Sequence, residues 1–320
     1  MASTTETRRA AQHLRLHSVG VRLSFRWLGN TRTFTDSEKA QAAQAFQADC
    51  RWISASQKLL DQRHPRYRRL TQIKGEADVY WKSVSLPYTE PGVRLLSRDR
   101  VEAFDTQMQS TRQELREAAQ ALDSDFDELK AEARNRLGVL YNPEHYPASV
   151  CDAFDVEWSF PSLEPPDYLK ELNPQLYERE KARITAQFQE AVNLAQQAFT
   201  AQFSEMVTHL RERLQPDASG QRKIFRDSAV TNLREFFDSF RDMNVGGCKQ
   251  LETLVEQAKG ILAGLDPKDL RDMPALRQQI ASELQGVEQA LTPLVVPVPR
   301  RRILRPSTNG VASHEPAHQP

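Results

Sequence analysis

From Ser18 the chain alternates: Val19, Val21, Leu23, Phe25 and Trp27 are apolar and Arg22, Ser24 and Arg26 between them are polar, until Gly29-Asn30 ends the pattern. A period of two puts alternate side chains on one face, which predicts a half-buried strand. Phe154, Val156, Trp158 and Phe160 alternate in the same way with Asp155, Glu157 and Ser159. No other segment carries this signal well, and a lone strand leaves backbone donors and acceptors unpaired. Residues 19–27 are therefore expected to pair with 154–160 in a small two-stranded sheet.

Elsewhere the apolar positions recur at helical spacing. Thr35-Asp36-Ser37-Glu38 offers a cap, and Ala42, Ala45, Phe46, Trp52, Ile53, Leu59 and Leu60 follow it, which predicts a helix of about 24 residues. His64-Pro65 interrupts. A second helix from Arg66 to Ser85 presents Tyr67, Leu70, Ile73, Ala77, Tyr80, Trp81 and Val84, before Leu86-Pro87 and Glu90-Pro91-Gly92 mark a loop. The strongest periodicity comes next. Val101, Phe104, Met108, Leu115, Ala119, Leu122, Phe126, Leu129, Ala133 and Leu137 form a heptad-like stripe over residues 98–137, closed by Gly138. A comparable stripe over 174–214 starts at Asn173-Pro174, a capping residue followed by proline at the first helical position, and carries Ile184, Phe188, Val192, Ala195, Phe199, Phe203, Met206, Leu210 and Leu214.

At 1.5 Å per residue each of these helices spans roughly 60 Å, and a folded segment joins them. The expectation is a mainly α protein: an elongated helical bundle in which the two long helices pack antiparallel, capped by the small sheet. The same stripes also suit core helices of an ordinary bundle, or closure between two copies of the chain. Residues 18–243 are read as the core domain, with its last helix over 220–243. Helices over 247–264 and 274–291 form the C-terminal part, separated by Gly246-Gly247 and Asp266-Pro267. Residues 1–17 read as a flexible N-terminus, and the proline-rich stretch 292–320 as a disordered basic tail.

The charge balance removes bulk electrostatics from the argument. Among 320 residues, 43 basic side chains offset 43 acidic ones, so any recognition by charge must be local. Cys50, Cys151 and Cys248 are odd in number and far apart, which suits neither a disulfide framework nor a zinc pair and points to a reducing cytoplasm. Arg8, Arg9 and Arg15 lie near the start without the apolar run of a secretory leader, and no stretch reads as a membrane span.

Sites with recognisable chemistry are scarce. Val245-Gly246-Gly247 lacks the preceding strand and following lysine of a phosphate loop. His13 and His17, like His314 and His318, are four apart but have no third ligand in sequence, and zinc sites use three or four. Asp123, Asp125, Asp127 and Glu128 lack the glycine and terminal glutamate of a calcium loop and read as a solvated helix face. No catalytic, cofactor or metal site is predicted. Two basic clusters stand out. Arg63, Arg66, Arg68 and Arg69 surround a helix start beside Tyr67, where their guanidinium groups fork to an anion such as phosphate or carboxylate, pair with the acidic run, or simply make an exposed, soluble helix end. Arg300, Arg301 and Arg302 follow Pro297-Val298-Pro299 in a segment suited to a nucleic-acid arm, a short partner motif or simple solubility.

Between Arg66 and Leu169 the chain carries Tyr80-Trp81, Leu86-Pro87-Tyr88, Gly92-Val93-Arg94-Leu95-Leu96, Leu137-Gly138, Tyr141-Asn142-Pro143 and His145-Tyr146-Pro147. In these motifs it resembles an uncharacterised bacterial and phage family, domain-of-unknown-function family 3150, over residues 18 to 240. The resemblance implies a gene neighbourhood with MoxR-type AAA+ ATPases and von Willebrand A-domain proteins similar to cobaltochelatase subunits. It brings no catalytic residues. Read physically, Gly92 permits a tight turn, Arg94 caps or pairs, and Asn142, Tyr146 and Pro147 belong to the return of the chain into the second strand. The function expected is a non-enzymatic adaptor or assembly component working with such an ATPase and an A-domain partner. The alternative is a nucleic-acid-binding accessory protein of a phage or mobile element, acting through the two arginine clusters.

Overall fold

The computed structural model describes residues 4–216, 223, 226–244 and 248–295. Helix α1 (Thr4–His17) runs directly into β1 (Ser18–Arg26). β2 (Thr31–Thr33) and β3 (Ser56–Lys58) follow as a hairpin, and between them lie α2 (Asp36–Ala45) and a 3-10 turn at Cys50–Trp52. Next come α3 (Pro65–Val84), β4 (Ser85–Pro87), β5 (Val93–Ser97), α4 (Val101–Ser124), α5 (Phe126–Leu137) and β6 (Asp155–Ser159). The chain then forms α6 (Tyr168–Leu172), α7 (Pro174–Leu214), α8 (Ser228–Met243), α9 (Lys249–Ile261), α10 (Pro267–Asp272) and α11 (Pro274–Leu291). The protein is mainly α, as the periodicity predicts.

β1 and β6 pair antiparallel, with Leu23 opposite Trp158 and Phe25 opposite Val156, so the long-range pairing expected from the two alternating segments is present. The sheet is larger than expected. β4 and β5 add to the other edge of β1 in the order β4-β5-β1-β6, where the sequence reads as a loop. β4 is three residues ending in proline, and β5 is a nearly continuous apolar run, Val93-Arg94-Leu95-Leu96. A strand buried on both faces has no period of two to reveal it.

Both faces of this sheet are covered, by different helices. Val21 and Leu96 pack with Trp81 of α3 and Phe104 and Met108 of α4, and a contiguous core below them joins Leu70 and Ile73 to Leu115, Leu122 and Phe126. Leu86, Val93 and Leu95 lie in another core with Phe188, Val192 and Phe203 of α7, Leu14 of α1, and apolar residues of α8, α9 and α11. This arrangement corrects the expected hairpin of long helices. α4 packs on α3 and β6, whereas α7 packs on α11, α1 and α8. The cause is the sheet, which is apolar on both sides, so one helical layer is needed on each. The heptad stripes are buried within the single chain.

Four further expectations change. The helix over 98–137 is interrupted at Asp125, between α4 and α5, while Phe126 and Leu129 keep the stripe buried across the break. The helix of about 24 residues stops at Ala45. It buries only Ala43, so packing holds no further turns, and Gln47 takes a φ of 51° as the chain heads toward β3. The N-terminal residues 4–17, expected to fray, form α1, whose Ala10, Ala11 and Leu14 pack into the α7 core. α7 begins and ends where the sequence places it: Asn173 accepts a hydrogen bond from the Leu176 N–H at 3.0 Å, with Pro174 at the first helical position. α8 starts at Ser228 rather than near 220, and α10 is too short to carry a periodic signal. The tail from 296 onward lies outside the described residues.

Gly20 marks the closest approach in the sheet. A Cβ there would sit 2.9 Å from Leu163 Cδ2 and 3.0 Å from the Pro161 carbonyl oxygen, so the segment after β6 crosses β1 where there is no side chain. Gly20→Val is expected to destabilise the protein by about 2 kcal/mol through overpacking, read as a lower urea midpoint with an unchanged slope.

Candidate functional site

The first arginine cluster does not converge on one point. Arg66 turns inward: its Nε lies 2.5 Å from Asp125 Oδ2, and its Nη1 donates to the Ala121 carbonyl at 2.8 Å, so it closes the C-terminal end of α4 at the break before α5. Arg69 donates to Glu114 on α4 at 3.0 Å. Arg66 therefore pairs with the acidic run, as one of the sequence readings expects, whereas Arg69 pairs with a carboxylate outside that run. Arg63 and Arg68 are exposed and line different grooves, Arg63 with Leu129 and Arg136, and Arg68 with Trp27 and Lys74 in a cleft of about 740 Å³. Trp27 is not a free stacking platform there. The Lys74 ammonium lies 4.6 Å from its ring centroid, and Phe154 packs against it edge-to-face at 4.9 Å. Arg300, Arg301 and Arg302 lie outside the described residues.

The motif residues have structural surroundings. Gly92 takes a φ of 77° in the turn that brings β4 back as β5. Arg94 donates to the Ser85 hydroxyl at 2.8 Å and to the carbonyls of Ser85 and Lys82 at 2.6 and 3.3 Å, which caps the end of α3, and its burial lowers the guanidinium pKa from its usual range. Asn142 accepts from the Glu144 N–H at 2.9 Å and starts a 3-10 turn, and exposed Pro147 follows it. The Tyr146 hydroxyl donates to the Leu59 carbonyl at 2.9 Å, and its ring stacks on Tyr141.

That last bond leads to the feature the periodicity misplaces. Leu59 lies at the root of the β2–β3 hairpin, and the root is firmly tied. Asn30 donates to the Leu60 carbonyl at 3.0 Å and accepts from the Leu60 N–H at 2.6 Å, and Gln57 donates to the Leu140 carbonyl at 3.4 Å. Above it, α2 carries a full capping box: Thr35 Oγ1 accepts from the Glu38 N–H, and the Glu38 carboxylate accepts from the Thr35 N–H at 2.7 Å. Arg32 on β2 pairs with Glu38 at 2.9 Å, and that bond, with the Thr35 N–H, holds the carboxyl at a pKa of about 2. The insertion is therefore an anchored projection rather than a slack loop.

It carries two large aromatic side chains on its outside. Trp52 is 89% exposed and Phe46 is 78% exposed. Cys50 is exposed between them, and Val139, beside the Leu140 that receives Gln57, is exposed as well. A helical reading assigns Phe46 and Trp52 to a buried face, but they are six residues apart, a step that no helix face repeats; that gap is the signal in the sequence. Such a pair on a fixed scaffold is chemically suited to apolar contact with another macromolecule, since tryptophan dominates binding energy where it can be desolvated.

Among the described residues, no group of three histidine, cysteine or carboxylate side chains is arranged to hold a metal ion, and no helix is long and apolar enough to cross a membrane. The strongly hydrogen-bonded carboxylates serve the fold: Asp61 is held below its ordinary pKa by the Arg136 guanidinium, and Asp123 by the Val150 backbone N–H. No family model matches the chain, and neither the curated proteins nor the solved structures contain a match.

Proposed function

We propose that this chain is a non-enzymatic adaptor or assembly component that docks a partner protein through Phe46 and Trp52 on the β2–β3 insertion. The exposure of Trp52 on an anchored projection carries the reading. Leaving two aromatic rings in water forgoes several kcal/mol of burial, and a capped helix and riveted hairpin hold them out instead of letting them collapse onto the core. Preorganisation also reduces the ordering cost of binding. The partners proposed are those the motif resemblance implies, a MoxR-type AAA+ ATPase and a von Willebrand A-domain protein, met in the cytoplasm. Nucleic-acid binding draws less support, because Arg66 and Arg69 are engaged by α4 and Trp27 by Lys74 and Phe154.

The test is binding of the purified ATPase and A-domain protein, with and without ATP, to the wild-type chain and to the Phe46→Ser, Trp52→Ser double variant. The variant is expected to keep its stability within about 0.5 kcal/mol, since neither ring is packed, and to lose binding by at least about tenfold. Equal binding by both proteins would overturn the docking site, and binding of neither partner under either condition would overturn the choice of partners.

A further inference from the structure

Where the end of α7 meets the start of α8, a cleft of about 400 Å³ opens between the two helices. Its polar lining is His209 and Arg213 of α7, Arg226 just before α8, and Ser228 and Asn232 in the first turns of α8; among the described residues no carboxylate lines it. The two guanidinium groups are free of ion pairs within the described chain: Arg226 makes no side-chain hydrogen bond, and Arg213 meets only the His209 ring, at 3.4 Å. Their neighbours are engaged, Arg211 by Glu288 at 2.6 Å and Arg271 by Asp227. That second pair has a consequence for α8. Asp227 stands at the N-cap position but makes no side-chain bond to its own helix, so the Ser228 N–H has no partner among the described residues. The Ser228 hydroxyl and the Asn232 carboxamide are likewise unengaged there.

This donor set matches phosphate. A guanidinium forks to two of its oxygens, and a backbone N–H at a helix start takes another. Arginine stays charged at any pH the protein meets, so the attraction depends on no titration. The positive field is also confined. Glu205 lies one turn from His209 on α7, and Glu235 one turn from Asn232 on α8, both exposed, which favours a compact anion over a polyanionic strand. Met206 and Ala229 make one wall of the cleft apolar, and its size falls in the range that takes a small organic molecule. We propose that the cleft binds the phosphate group of a small phosphate monoester: Arg213 and Arg226 fork to its oxygens, the Ser228 N–H donates to it, and the organic part rests on Met206 and Ala229. This site is independent of the docking role proposed for the insertion.

The experiment is calorimetric titration of phenyl phosphate, inorganic phosphate and phenol into the full-length chain at low salt, where charge attraction is least screened. One phenyl phosphate per chain is expected, with weaker binding of inorganic phosphate and none of phenol. Arg213→Gln and Arg226→Gln should each weaken binding by about tenfold or more through loss of charge-assisted bonds, while the circular dichroism spectrum stays unchanged since both side chains are exposed. Arg134→Gln removes an equally exposed charge from α5 and should leave the affinity as it is. Absence of saturable binding, equal affinity for phenyl phosphate and inorganic phosphate, affinity unchanged in either cleft variant, or an equal loss in Arg134→Gln would overturn the site.

Discussion

Replacing Arg277 with methionine is expected to lower stability by about 3 kcal/mol, seen as a drop in the urea midpoint without a change in slope. Arg277 sits on α11 and is buried, and its guanidinium is spread over backbone carbonyls. It donates to the backbone carbonyls of Leu214 at 2.9 Å, of Arg213, and of Lys223 at 3.0 Å. Two of these are the last carbonyls of α7, the 41-residue helix that organises the core on one face of the sheet. Those carbonyls have no partner within the helix, and the helix end carries partial negative charge, so a fixed cation satisfies both needs. Methionine fills similar volume and supplies no donor. Arg277→Lys should recover only part of the loss, because one ammonium cannot fork across three acceptors.

Asp155→Asn is expected to cost about 2 kcal/mol. Asp155 opens β6 and is almost fully buried. Its carboxylate accepts from Arg112 of α4 at 2.7 and 2.5 Å and from Arg26 of β1 at 3.1 Å, so one anion ties the edge of the sheet to the helix layer that covers it. Both guanidinium groups reach solvent, which screens part of the interaction and sets the figure below that of a fully buried pair. The hydrogen bonds from Arg112 hold the carboxyl below its ordinary value of 3.8. For a depressed carboxylate pKa, the unfolded chain binds the proton more readily. The stabilisation is therefore complete above the ordinary value and fades as the pH falls through the lowered folded one. Wild type should lose more stability than Asp155→Asn on acidification below about pH 4, and the two denaturation curves should converge there.

Much of the fold is legible in the chain because its signals are local. The strands at 19–27 and 154–160 announce themselves by alternation, and the need of each for a partner predicts their pairing across the sequence. α7 is bounded by an asparagine and proline at one end and proline after the other. The sheet's second half was not legible, since β5 is apolar on both faces and β4 is too short to show a pattern. That omission propagates: without a two-sided sheet, the long helices have no reason to separate, and an antiparallel pair is the natural but incorrect reading. The candidate site was hidden for a related reason. A run of apolar residues reads as a helix through Phe46 and Trp52, and the six-residue step between the two rings, together with a helix that buries only Ala43, is what marks the stop and leaves the rings outside. In the arginine cluster, composition locates the charges but cannot say that Asp125 and Glu114 stand opposite two of them.

The role proposed for the insertion is to hold Phe46 and Trp52 out for a partner protein. Its most direct measurement is affinity purification of the tagged full-length chain from the cells that express it, in parallel with the Phe46→Ser, Trp52→Ser variant, with nuclease treatment and identification of bound proteins by mass spectrometry. Recovery of an AAA+ ATPase or A-domain protein is expected to survive nuclease and to disappear in the variant. Recovery that is lost on nuclease treatment, or that is the same for both chains, would contradict it.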